Sequence, residues 1–167
     1  MKAAILATGP SMSAALARQV RETCDVVVTV NDSFRLALWA QALVAQDYAW
    51  WNEYRSETDR FLGRKFSCNK IPGVEQVEYE GGSSTNSGAL AIYVAATTLG
   101  CDEIELHGFD MLGGHYFGEH PARLKGTTDL RRATFQEQFY QLRGRLDALG
   151  VVVRNCTLGS ALKAFPA

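Results

Sequence analysis

The hydrophobic positions of the chain alternate between two periods. "KAAILA" (2–7) is an apolar run ended by Gly9-Pro10, and "SAALARQVRET" (13–23) then repeats apolar residues every three or four positions. That change of period predicts a strand, a turn and a helix. "DVVVTVN" (25–31) is β-branched and continuously apolar until polar Asn31-Asp32, the pattern of a parallel strand covered on both faces. "FRLALWAQALVAQD" (34–47) divides into a turn or short helix to Trp39 and a strand near residues 42–46, with Asp47 at its carboxyl end. The pattern then predicts a helix over 48–63 closed by Gly63, a strand over 64–69 and one edge strand near 74–79. "SGALAIYVAATTLG" (87–100) is apolar almost all round and reads as a helix buried against the sheet. A strand over 102–111, a long amphipathic helix over 130–150, a strand over 151–156 and a closing helical turn over 158–165 complete the series. Between them, 112–128 carries no clear period and reads as a lid or binding loop.

Repeated β-then-α units predict an α/β chain: one Rossmann-like domain over 1–167, with a mostly parallel open sheet of about six strands and helices on both faces. Ligands of such sheets lie beyond the carboxyl ends of the strands. The residues at those ends are therefore the first candidates for chemistry.

Charge narrows the partners. Charged residues are 21% of the chain and nearly balanced, with a net charge of -1, so there is no basic field to draw nucleic acid or anionic lipid. No apolar run reaches the ~18 residues of a membrane-spanning helix, and the first residues lack a signal-like pattern, so the expectation is a cytoplasmic protein; self-association stays open. Cys24, Cys68, Cys101 and Cys156 form no CxxC pair and read as reduced, mostly buried small hydrophobes. No metal ligand set is assigned.

The Thr8-Gly9-Pro10-Ser11 turn offers backbone N–H groups near a helix start, where an anion such as phosphate is favoured, although Ser11 or Ser13 serves equally as a plain cap. "SSTNSGAL" (83–90) places Thr85, Asn86, Ser87 and Gly88 at the entry of the buried helix, a run of hydroxyl and amide groups suited to phosphate or ribose. Asn31, Asp32 and Asp47 end strands, where Asn and Asp are also ordinary turn residues. Trp50 and Trp51 read as packing groups before stacking groups. Neither GxGxxG nor a P-loop is present. The lid segment carries His115 and His120 close to Asp110, and histidine is the side chain suited to acid–base work near neutral pH. His120 precedes Pro121, which biases its direction and favours it slightly as a base. His107 lies inside a predicted strand and reads as a satisfied core histidine.

"TGPS", "VND", "TNSGALAIYVAATTLGCDEIELHGFDM" and "NCTLGSALKAF" together, in that order, resemble the bacterial sialyltransferases of glycosyltransferase family 42. They are also similar to 6-hydroxymethylpterin diphosphokinase-like proteins and to small, mostly phage-borne relatives. In the sialyltransferases the first turn reads Gly-Asn-Gly-Pro-Ser and contacts the cytidine monophosphate part of the donor; Gly9, Pro10 and Ser11 match, with Thr8 in place of the Asn. Asn31 matches a nucleotide-contacting Asn, Ser87 and Gly88 the Ser-Gly that opens the central helix, and Gly108 and Asp110 the Gly-x-Asp after its strand. The family's tyrosines after that Asp are replaced by Met111 and Leu112, with Tyr116 nearby, and its lid base corresponds to His115 or His120.

The resemblance implies a nucleotide-binding transferase that takes a nucleotide-sugar donor to an acceptor hydroxyl and requires no cofactor. The alternatives are a diphosphokinase-like enzyme in which Asp110 helps position Mg²⁺, and a non-catalytic phage nucleotide-binding or assembly protein.

Overall fold

Strand β1, Lys2–Leu6, has parallel partners on both edges, and past Lys2 every one of its residues is buried. In the computed structural model, which describes residues 1–80, 85–118 and 129–167, helix α1 (Ala14–Thr23) follows it and leads to β2 (Val26–Val30). Ser13 starts α1 by accepting the Leu16 N–H, 3.1 Å away. A 3-10 turn (Asn31–Leu36) precedes β3 (Ala42–Val44); α2 (Tyr48–Glu53) and α3 (Arg55–Thr58) precede β4 (Arg64–Ser67), and β5 (Glu75–Gln76) follows. The second half runs through α4 (Ser87–Tyr93), β6 (Glu103–His107), α5 (Asp129–Ala148) and β7 (Val152–Asn155).

All pairings are parallel, in the order β5-β4-β3-β2-β1-β6-β7. The fold is thus the expected α/β open sheet, with seven strands among the described residues against about six expected; the edge strand read near 74–79 does form, as Glu75 and Gln76 beside Phe66 and Ser67. The order reverses between β1 and β6, the switch point at which such sheets open a crevice.

Alternation along each strand builds two cores. Ala3 and Ile5 join Val28, Val44, Leu90 and Leu106 beneath α4 and α5, whereas Ala4 and Leu6 join Ala17, Val20, Leu43 and Trp50 beneath α1 and α2. Phe139, Leu142 and Leu146 recur every three or four residues and seat α5 on the first core, each burial contributing roughly 1.5–3 kcal/mol. The α1 face of the sheet is less covered at its far edge: Glu103, Val152 and Arg154 are exposed there. Among the described residues, no helix is long and apolar enough to cross a membrane.

Several expected elements differ. The helix over 48–63 breaks at Tyr54 into α2 and α3, because Trp50, Trp51 and Tyr54 all turn inward and stack on one another, and Trp51 Nε1 donates to Ala45 O. These indoles pack the core. The helix over 87–100 widens into a π turn at Val94–Thr98, where the Leu99 N–H donates to Val94 O. The closing turn over 158–165 is not helical: its Ser160 hydroxyl donates to Phe109 O and its Ala161 N–H to Asp110 O, both in the tail of β6. Of the four free thiols only Cys101 is buried; Cys24 and Cys68 are half-buried and Cys156 is exposed, so the expectation of a mostly buried set does not hold.

Candidate functional site

The ladder between β1 and β6 continues past both strand ends: the Ala7 N–H donates to His107 O (2.8 Å) and the Gly9 N–H to Gly108 O (2.9 Å). A Cβ at Gly9 would stand 1.9 Å from Asp110 Oδ2 and 2.4 Å from Gly108 O, so only glycine lets the two turns meet. Asp110 then closes over the first turn. Its Oδ1 accepts the Ser11 N–H (3.2 Å) and its Oδ2 the Ser11 hydroxyl (2.8 Å). The anion that the sequence expects at this turn is supplied by the chain's own carboxylate. The Met12 N–H donates to Gly9 O, and Pro10 and Ser11 face solvent.

The tail of β6 is held by residues that the sequence reading did not single out. The Phe109 N–H donates to Thr157 Oγ1 (3.1 Å), the Ser160 hydroxyl donates to Phe109 O, and the Ala161 N–H donates to Asp110 O (2.9 Å). Asn155 in turn accepts the Thr157 N–H and donates to Phe165 O. The Asn/Thr/Ser run of "NCTLGS" was the available signal, and its work is to aim Asp110. Gly108 (φ 74°) and Met111 (φ 58°) give this tail its left-handed bends. Thr157→Val keeps the shape but leaves a buried N–H without an acceptor, so it should cost ~1–3 kcal/mol, read as a lower denaturation midpoint at unchanged slope.

At the end of β2, Asn31 is held at φ 48°, a strained setting, and its side chain makes no hydrogen bond among the described residues. Asp32 is 2% exposed and paired with Arg35 Nη1 at 2.6 Å, so its carboxylate serves the turn. Arg35 also donates to both oxygens of Glu57, which holds that carboxyl below the usual range. Asp47 stands before α2 with its side chain exposed and without a cap bond.

The entry to α4 is also internally satisfied. Asn86 Oδ1 accepts the Gly88 and Ala89 N–H groups (2.7 and 3.1 Å), and Ser87 Oγ accepts the buried Gln46 N–H (3.0 Å). Gly88 lies against the Phe109 ring, where a Cβ would come within 2.9 Å. Ser87 therefore ties α4 to β3, with Gln46, unnoticed in the sequence, in turn receiving the Cys68 N–H. Ser87→Ala should lower stability by ~1–3 kcal/mol, checked by thermal denaturation. Thr85 differs: its hydroxyl is buried and has no partner.

Of the predicted lid, residues 112–118 are described; His120, like Ser83 and Ser84 of the helix entry, lies outside the described residues. His115 Nδ1 is 2.9 Å from Thr8 Oγ1, and the Tyr116 N–H donates to Thr8 O (2.8 Å). Phe117 carries the segment onward to Arg35, whose guanidinium lies 5.9 Å from the ring centre. Thr8, Gly9, Ser11, Gly108, Asp110 and His115 thus meet at the β1–β6 switch point, while Thr85–Gly88 is linked to them through Phe109. His107 is a core residue as expected but not a satisfied one, for its buried Nε2 makes no hydrogen bond, and burial holds the imidazole below the usual histidine range.

The arrangement offers a tethered imidazole, an unpartnered hydroxyl and a free amide side chain around one end of the sheet, chemistry suited to binding a polar ligand and moving one proton. The chain matches no family model, no curated protein and no solved structure.

Proposed function

We propose that the chain is a nucleotide-binding transferase whose donor is a nucleotide-activated sugar, bound beyond the carboxyl ends of β1, β2 and β6, with His115 as the base that deprotonates the acceptor hydroxyl. The observation that carries this reading is the tether of His115 to Thr8, which holds a lid imidazole over the switch point of the sheet. Asn31 and Thr85 supply the polar contacts to the nucleotide, since neither side chain has a partner of its own among the described residues. Asp110 acts as the brace of the first turn, its two oxygens already engaged by Ser11.

The test is a thermal-shift screen of nucleotides and nucleotide sugars, each with Mg²⁺ and with a chelator. A ligand at 100 times its Kd should raise stability by about 2.7 kcal/mol. Stabilisation that persists under chelation supports a metal-independent transferase; stabilisation by nucleoside triphosphates that needs Mg²⁺ replaces it with the diphosphokinase reading. Asn31→Gly separates binding from folding. Glycine accepts the left-handed backbone at position 31 without strain, so the variant should melt no lower than wild type while binding the nucleotide more weakly. Equal affinity in the two proteins removes Asn31 from the site.

A further inference from the structure

One cluster of side chains takes no part in the proposed transfer. Glu105 and His107 alternate on β6 and share the sheet face that α1 covers beside β1 and β2. On β7, Asn155 stands beside Leu106, so Cys156 comes level with His107. Glu105, His107 and Cys156 each offer a ligand atom, and the three atoms lie within 4.8 Å of one another. His107 Nε2 is the unexplained member. It is buried without a hydrogen bond, 3.5 Å from Glu105 Oε2, in a side chain more than nine-tenths buried. Such an orphan is costly to keep unless something else uses it.

We propose that Glu105, His107 and Cys156 form a binding site for a divalent transition metal, with zinc the best chemical fit and a fourth coordination position open to solvent. One carboxylate, one imidazole and one thiolate make a mixed O/N/S set, which suits zinc and discriminates against magnesium and calcium. Ligands at ~2.0–2.3 Å from a tetrahedral zinc stand roughly 3.3–3.7 Å from one another. Glu105 and His107 already have that separation, and Cys156, exposed just beyond β7, closes the rest by rotating its side chain. Its exposure also provides the ion's route of entry.

The surroundings suit the role. Lys2 Nζ holds Glu105 Oε1 at 2.8 Å and Cys24 Sγ donates to Oε2 at 3.7 Å, so the carboxylate is oriented from two sides. Outer partners of this kind steer metal ligands. The three ligands span 105 to 156 in the chain, a spacing that matches no linear metal motif. Strand pairing alone brings them together.

Metal-free protein titrated with Co²⁺ should develop a thiolate-to-cobalt charge-transfer band at one equivalent, displaced by Zn²⁺. Cys156→Ser and His107→Gln should each abolish the band and raise the zinc Kd by more than ~10–100-fold, the loss typical of outer-shell changes alone. Circular dichroism checks folding, and Cys156→Ser decides the matter should His107→Gln misfold, because Cys156 is exposed. Cys24→Ser, which preserves a hydroxyl donor to Glu105, should retain the band. Absence of the band in wild type, its survival in Cys156→Ser, or its loss in Cys24→Ser alone overturns the assignment.

Discussion

Gly9→Ala should destabilise the fold by about 3 kcal/mol, the upper end of what overpacking usually costs. The new methyl would sit 2.4 Å from Gly108 O and 1.9 Å from Asp110 Oδ2. Asp110 can swing aside, at the loss of its two bonds to Ser11, but the Gly108 carbonyl is backbone and accepts the Gly9 N–H. Relief therefore requires the first turn to separate from the tail of β6. For a chain of this size the melting temperature should fall by roughly 6–12 °C. Asp110→Ala in the Gly9→Ala background removes one of the two clashes and should recover part of the loss, never all of it. Gly114→Ala is the control, since nothing lies near the added carbon and its backbone is not left-handed; it should stay within ~0.5 kcal/mol of wild type. A Gly9→Ala protein as stable as the control would show that the two turns are not packed as described.

The contrast between these two glycines illustrates what the sequence conveys. The period of the apolar residues identifies β1, α1, β2 and β6 because each is decided locally, by which side chains must face a core. The period fails where a partner distant in sequence overrides it. Residues 48–63 read as one helix, yet Trp50, Trp51 and Tyr54 must all be accommodated under the α1 face, and the helix breaks at Tyr54. Residues 158–165 read as a helical turn, yet Thr157 and Ser160 are committed to Phe109, about fifty positions earlier.

The candidate site follows the same division. Its residue types were legible, because Gly-Pro-Ser, Asn-Asp and Thr-Asn-Ser-Gly are the residues that end strands and open helices. Their partners were not. Nothing in the local pattern says that Asp110 answers Ser11 from 99 positions away, or that Ser87 receives Gln46 across the sheet. The Ser11, Gly88 and Ala89 amides, which the residue types offered to a phosphate, already have side-chain acceptors, so the proposed function relies instead on Asn31, Thr85 and His115. His107 shows the converse case: a histidine in an apolar strand is ordinarily satisfied, and only the register of β6 against β7 reveals the carboxylate and thiol beside it.

If the chain is a transferase, His115→Ala should lower its turnover by ~10²–10⁴-fold while leaving donor affinity nearly unchanged, the signature of a general base lost from the transition state. The hydrogen bond to Thr8 determines which nitrogen acts. For Nε2 to accept a proton from the acceptor hydroxyl, Nδ1 must carry the other proton, and Thr8 Oγ1, 2.9 Å from Nδ1, is positioned to receive it. Thr8 is therefore a positioning residue. Thr8→Val should reduce turnover less than His115→Ala, at unchanged donor affinity, and should displace the rising limb of the pH–rate profile from its wild-type position. Activity rises with pH through that limb because the base works only when unprotonated. The assay is transfer from the donor found in the thermal-shift screen, followed from pH 5 to 9 after chelation. Loss of the rising limb in His115→Ala, with the limb retained in His120→Ala, fits the assignment. Full activity in His115→Ala with loss in His120→Ala moves the base to His120, and full activity in both variants and in the double variant rules out a lid histidine as the base.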